Sequence, residues 1–403
     1  MSRKVSVVIT ARPSYSRIKS ALRAIAARPD LELQLVVAAS ALLDRYGKTV
    51  ETIERDGFPI AARVHMVVEG GNLVTSAKST GLGLVELATV FDNLRPDVVV
   101  TVADRYETMA TAVAASYMNI PLAHVQGGEI TGSIDEKVRH AVTKLANLHF
   151  VASEAAARRV IRMGEDPSSV FVTGCPSIDL AAEVLERGGP TFDPYRKYGG
   201  VGARPDLTGG YIIVAQHPVT TEYEEARFQV NETLEAVVDI GLPVLWFWPN
   251  VDAGSDGTSR GIRAFRENRR PEHFHFFKSF SPEDFLSLLV RSRCIVGNSS
   301  VAIREGAFLG VPAVNIGTRQ AGRDRGPNVI DVGCDREEIA AAIAWQLEHG
   351  PYPSDPLYGD GRAGPRIAQR LAQERLSIEK RLFMPGDDPG RSRAPVPQEP
   401  IIA

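Results

Sequence analysis

Cysteine is scarce and scattered in this sequence: Cys175, Cys294 and Cys334 are the three among 403 residues, and no CxxC pair exists. So odd and widely spaced a set provides neither a disulfide framework nor a zinc knuckle, and a reducing cytoplasm is the expected setting. Long hydrophobic runs are missing as well. The opening MSRKVSVVIT turns polar too soon for a signal peptide or a membrane span, so no membrane partner is expected. Charge of one sign is not in excess, the formal net charge being -3. A duplex-binding surface usually carries a strong basic surplus, so nucleic acid is not an expected partner. No GxGxxG follows the first strand-like run, which argues against a dinucleotide, and no cofactor is expected. DAGSDG at 252–257 has the look of a calcium loop but lacks the later bidentate glutamate, so no metal is expected.

What is present is an ordinary globular composition, 44% hydrophobic and 24% charged, in a chain long enough for two domains. Short β-branched runs at 4–10, 33–39, 97–103, 122–126, 148–153 and 170–173 alternate with helical patterns at 17–27, 80–94, 106–118 and 136–146. The runs are continuously apolar, as strands covered by helices on both faces should be. The theme repeats with strand candidates at 211–216, 243–249, 273–277, 294–297 and 312–317. The fold class is therefore α/β, with two doubly wound parallel sheets in Rossmann-like halves. The division read from the sequence is 1–190, a Gly/Pro-rich linker at 191–210, a second half at 211–363, one long helix at 364–383 and a flexible tail at 384–403.

Ligands of such sheets sit beyond the carboxyl ends of the strands, which gives weight to residues just after each run. In ITARPSYSRIK, Arg12 and Lys19 flank a helix start and suit either phosphate or a merely capped, solvated helix. Asp104 and Arg105 end the third run. In LAHVQGGE, Gly127 and Gly128 would allow close backbone approach to a ligand, ahead of Glu129. Asp135, Glu136, Arg139 and His140 follow in a helix start, where the two carboxylates serve either proton transfer or the helix dipole. His217 stands after the first strand of the second half, and Asn250 and Asp252 after the next. In IVGNSSVAIREGAFLG, Asn298, Ser299 and Ser300 precede a helix expected from about Val301, an arrangement that would cradle a diphosphate. Glu305 is placed to reach a ribose or to be a buried structural carboxylate. Arg319, Gln320, Arg323 and Arg325 then concentrate positive charge in an otherwise neutral chain.

Three long segments, ADRYETMATAVAA, HVQGGEITGSIDEKVRHAVTKLANLHF and GNSSVAIREGAFLGVPAVNIGTRQAGR, resemble the UDP-N-acetylglucosamine 2-epimerases, above all the hydrolysing branch that releases N-acetylmannosamine and UDP. The resemblance runs from about 3 to 383. It implies a glycosyltransferase-B-like fold with a C-terminal helix crossing back to the first domain, a UDP-sugar substrate, no redox cofactor and a homodimer. It also implies elimination of UDP to a 2-acetamidoglucal followed by addition. Carried over by motif, Asp104 and Glu129 would be the main acid/base carboxylates and Asp135 a third, while Arg139 would steady them or meet the leaving phosphates. His217 and Arg12 would meet phosphate, Ser299 and Ser300 would cradle UDP, and Glu305 would hold the ribose. Arg319 and Gln320 would assist, while Asn250 and Asp252 would line the sugar or nucleotide side. The chain departs from the family at Ala103, where relatives show Gly, at Val301 and Ala302, where they show Ser-Gly, and at Ser14, where an acidic residue is usual. A non-hydrolysing epimerase, a glycosyltransferase of this architecture and a non-catalytic sensor are the alternatives.

Overall fold

Seven parallel strands form the first sheet: β1 (Arg3–Ile9), β2 (Leu31–Ala38), β3 (Ile60–Val64), β4 (Val98–Val102), β5 (Leu122–Val125), β6 (Leu148–Val151) and β7 (Val170–Val172), in the order β3-β2-β1-β4-β5-β6-β7. The computed structural model describes residues 2–44, 47–70, 72–131, 134–249 and 254–384. Asn250, Asp252 and the expected tail beyond 384 lie outside the described residues. The second sheet comprises β8 (Val201–Gly202), β9 (Ile212–Ala215), β10 (Val244–Phe247), β11 (Phe274–Phe277), β12 (Cys294–Gly297), β13 (Ala313–Ile316) and β14 (Val329–Val332). Its order is β14-β13-β12-β9-β10-β11-β8, parallel except for the β8–β11 pair.

Side-chain alternation explains why the strand sequences are apolar throughout. Val98, Val100 and Val102 of β4 join one buried cluster, while Val99 joins the cluster on the opposite face. The strands absent from the sequence reading, β3, β8 and β14, are short and lie at sheet edges; β3 and β14 are only partly buried and β8 is exposed. Their residues lack the continuous apolar run that marks a central strand.

Two expected segments differ from the structure. The stretch 191–210 is more than a linker, since it holds a helix, Pro194–Tyr198, and the antiparallel edge strand β8. The cause is aromatic packing: the Tyr198 ring stacks on Phe280 with centroids 3.7 Å apart, and Tyr195 lies against His275 and Phe277. The helix expected over 364–383 spans Ala363–Gln373 only. Beyond it, Lys380 reaches the Ala146 carbonyl and the Glu165 carboxylate, tertiary bonds that an extended chain satisfies and a continued helix does not. The helix does cross back. Ile367, Ala368 and Leu371 complete the core formed by Ile18, Leu22 and Ile25, and burial of each large side chain is worth about 1.5–3 kcal/mol. Gly364 is required there, because a Cβ would stand 2.6 Å from the Ser20 backbone. No helix among the described residues is long and apolar enough to cross a membrane.

Candidate active site

In each sheet the chain reverses direction of build at one point, between β1 and β4 and between β9 and β12. The carboxyl ends of those four strands face a common cleft, as expected of doubly wound sheets. From the first half it is lined by Arg12, Arg17, Asp104, Arg105 and Asp135; from the second by His217, Ser299, Ser300, Arg304, Glu305, Arg319, Gln320 and Arg323. Eleven of the residues singled out in the sequence thus share one cleft: Arg12, Asp104, Arg105, Asp135, His217, Ser299, Ser300, Glu305, Arg319, Gln320 and Arg323.

The carboxylates are held by buried guanidinium groups. Arg139 pairs with Asp104 through Nη2 and donates to the Glu129 carbonyl through Nη1 at 2.8 Å. Arg17 approaches the other Asp104 oxygen at 3.5 Å. Glu129 does not line the cleft itself. It sits behind the wall, its Oε2 shared by Arg304 at 3.2 Å and by Arg323. Burial lowers the pKa of Arg17 to about 9, with Arg304 and Arg323 adding repulsion, and burial alone lowers Arg12 to about 10. Burial also opposes charge on Arg304, but Glu129 and Glu305 outweigh it and hold that guanidinium above its ordinary value. All three therefore carry charge at neutral pH. Along the lining, six arginines (12, 17, 105, 304, 319 and 323) face three carboxylates (Asp104, Asp135 and Glu305), a surplus of positive charge that suits a diphosphate.

The second half builds its wall around one asparagine. Asn298 accepts the His217 N–H and donates to the His217 carbonyl, both at 2.8 Å. Its own carbonyl receives Arg319 at 3.1 Å and Gln320 at 2.9 Å. Fully buried, Asn298 is a pin between strand ends rather than a cleft-lining group. The adjacent Gly297 has φ 127, and a Cβ there would meet the Ala215 carbonyl at 2.4 Å. The helix expected from about Val301 begins at Ser300 and is broken at Arg304 into Ser300–Ile303 and Glu305–Leu309. Ser300 Oγ accepts from both Arg17 and Arg304 at 2.9 Å. Glu305 Oε2, Glu129 Oε1, Gln320 Oε1 and the Nε atoms of Arg139, Arg304 and Arg323 are buried without a hydrogen-bond partner in the protein. Each such group carries a desolvation cost of about 1–3 kcal/mol, offset here by the ion pairs that Glu129 makes with Arg304 and Arg323 and that Arg139 makes with Asp104.

Two expectations are corrected. Lys19 is buried between Asp56 at 2.6 Å and Glu283 at 2.7 Å, away from the cleft lining; its helix turns that face toward helix Pro282–Leu289. Gly127 and Gly128 approach protein rather than ligand. A Cβ on Gly127 would meet Thr143 and His124 at 2.9–3.0 Å, and one on Gly128 would meet the Ala156 carbonyl at 2.3 Å. The sequence reading missed Arg17 and Arg304 altogether. A charge inside the apolar run VAIREGAFL was the available signal for Arg304. It also missed the apolar end of the cleft, where Leu180, Phe247, Phe280, Phe285 and Leu286 meet, with the Phe247 and Phe285 rings edge to face at 4.9 Å. Among the described residues no group of three or more His, Cys, Asp or Glu is placed to hold a metal ion.

Comparison with known proteins decides the family. The model of the UDP-N-acetylglucosamine 2-epimerase family matches residues 23–372. The chain belongs to that family. A UDP-N,N'-diacetylbacillosamine 2-epimerase (hydrolyzing) of Legionella pneumophila is 33% identical over 92% of this chain and 96% of its own length. A UDP-N-acetylglucosamine 2-epimerase of Neisseria meningitidis is 27% identical over 89% of this chain and 91% of its own. The epimerase fold is shared with the crystal structure of the Methanocaldococcus jannaschii UDP-GlcNAc 2-epimerase in complex with UDP-GlcNAc and UDP, at TM-score 0.75 and 19% identity, over 92% of this chain and 100% of that one. Family membership makes the chain an enzyme of the 2-epimerase class and agrees with the resemblance read from its motifs.

Proposed function

We infer that the protein takes UDP-N-acetylglucosamine, or a UDP-2-acetamido sugar altered at C4 and C6, and releases UDP and the C2-inverted free sugar. A carboxylate removes the C2 proton as the C1–O bond to UDP breaks, leaving a 2-acetamidoglucal. Water then adds across the double bond, a proton to C2 and hydroxide to C1, giving N-acetylmannosamine from the unaltered substrate. The observation that carries this reading is that Asp104 and Asp135 line the same cleft as six arginines. The C2 hydrogen is weakly acidic, so stabilising the departing diphosphate must drive its removal.

Asp104 and Asp135 are the proton-transfer set in this proposal, with Arg139 fixing Asp104 and Glu129, behind the wall, fixing Arg304 and Arg323. His217, Arg12, Ser299, Ser300, Arg319 and Gln320 hold the diphosphate; Glu305 takes the ribose, and the phenylalanine-lined end takes the flat base. The likeness to the Legionella protein and to a Campylobacter jejuni relative, 28% identical and also named as hydrolyzing, supports the hydrolysing outcome. A homodimer is part of the proposal, supported by exposed Leu73, Val74, Leu82, Val85 and Tyr117 on two neighbouring helices; a light-scattering mass of one chain would remove it.

Incubation with UDP-N-acetylglucosamine and, separately, with its 4-acetamido-6-deoxy counterpart in deuterated water, followed by proton NMR, tests the reading. Free mannosamine-type sugar labelled at C2, with UDP, is the expected result. An intact UDP-sugar with inverted C2 would move the protein to the non-hydrolysing branch. Sugar transfer without deuterium at C2 would make it a glycosyltransferase.

A further inference from the structure

Ala103, directly after β4 and directly before Asp104, has φ 64. That left-handed conformation is ordinarily glycine's, because a Cβ crowds the following carbonyl. Residue 103 is 2% exposed, and its carbonyl, which belongs to the peptide joining it to Asp104, accepts a hydrogen bond from His124 Nε2 at 2.8 Å. A carbonyl only accepts, so Nε2 carries the proton; Nδ1 is then the acceptor, and it takes the Thr143 hydroxyl at 3.1 Å. Thr143 lies on helix Ile134–Leu145, which also carries Asp135 and Arg139. The ring is fully buried. Burial pushes its pKa down to about 3, with the Ala103 hydrogen bond acting the other way, so it is neutral wherever the protein works.

We propose that His124 is a positioning residue: as a neutral strut between the Ala103 carbonyl and Thr143, it holds residue 103 left-handed and thereby aims Asp104 at the cleft relative to Asp135 and Arg139. Gly127 fits the same role, since any side chain there would displace the His124–Thr143 pair. The strut compensates for the alanine that stands where the backbone calls for glycine. It rests on the proposed role of Asp104 at the sugar.

Replacing the imidazole by a ring that cannot donate, His124→Phe, is expected to lower kcat by about tenfold to a hundredfold, as a small misplacement of a reacting group does, with KM within about twofold. Adding Ala103→Gly, which frees the left-handed conformation, restores part of kcat. Thr143→Val, milder for folding, lowers kcat in the same sense by about threefold. UDP binding followed by calorimetry reports that each variant is folded. Unchanged kcat in both single variants, a loss confined to KM, or no recovery with Ala103→Gly overturns the strut. Nitrogen-15 spectra of the wild type, with the His124 signal assigned by its loss in His124→Phe, are expected to show Nε2 protonated and Nδ1 bare. The opposite tautomer also overturns it. A wild type that turns over no UDP-sugar defeats the proposed function, whereas the tautomer measurement still decides the strut.

Discussion

Arg17 donates through Nη2 to the Ser300 hydroxyl at 2.9 Å, while its Nη1 lies 3.5 Å from Asp104. One guanidinium therefore touches the carboxylate wall of the first half and the start of the broken helix in the second. A charged hydrogen bond in such a place is worth about 1.5–3 kcal/mol. Arg17→Ala is expected to cut kcat/KM for UDP release by roughly ten- to a hundredfold. Arg17→Lys, which keeps the charge and loses the fork, should recover only a fraction. Steady-state UDP release checks both, and a lysine variant with full activity would reduce Arg17 to a point charge.

Asp104 is held by two arginines, Arg17 and Arg139. Asp104→Asn preserves shape and removes the base, so kcat should fall by about 10²–10⁴-fold. Deuterium entry at C2 should fall in step, and UDP affinity should change little. Proton NMR in deuterated water measures the exchange directly; undiminished label would reassign the base to Asp135.

Asp179 ties the crossing helix to the first half. Its carboxylate accepts from the Ala363 and Gly364 amides at 2.8 and 2.7 Å and from Ser20 Oγ at 2.9 Å. Asp179→Ala strands the two buried amides, Ser20 keeping the Pro176 carbonyl, and should cost about 1–3 kcal/mol, read as a lower midpoint in denaturant. An unchanged midpoint would show that the helix docks through its apolar face alone.

Glu165 gathers Lys144, His149 and Lys380. Burial alone would raise its pKa, but hydrogen bonds from those three partners pull it from 4.5 down to about 2. A carboxylate with a lowered folded pKa stabilises the protein above its unfolded value and loses that contribution as pH falls toward the folded one. Unfolding at graded pH should therefore show stability lost between about 4.5 and 2. Glu165→Gln should flatten that segment of the profile, and a profile unaltered by the substitution would place the acid sensitivity elsewhere.

The central strands were legible because they present mostly β-branched, aliphatic and aromatic residues to two helical layers, and β4 is buried at all five positions. Edge strands β3 and β14 were not, because Arg63 and Asp331 interrupt their short apolar runs and most of their residues are partly exposed. Among site residues, those placed directly after a strand, such as Asp104 and His217, could be found by position. Arg304 could not, since its role depends on a break between two short helices. Asn298 was found for the wrong reason: a polar residue at a strand end looks the same in sequence whether it faces ligand or clamps a neighbouring backbone. Lys19 illustrates the same limit, as its partner Glu283 comes from the other half of the chain.

The returning helix sets a timetable for biogenesis. Arg3 bonds the carbonyl of Leu371, 368 positions along the chain, so the flank of the first core is closed by residues made long after its own strands. Until that helix emerges the first half carries an uncovered apolar groove, which is sealed only when the intervening second half has been made. A nascent chain of this design is vulnerable to aggregation over that interval, and removing the helix Ala363–Gln373 would prolong the exposure for the lifetime of the protein.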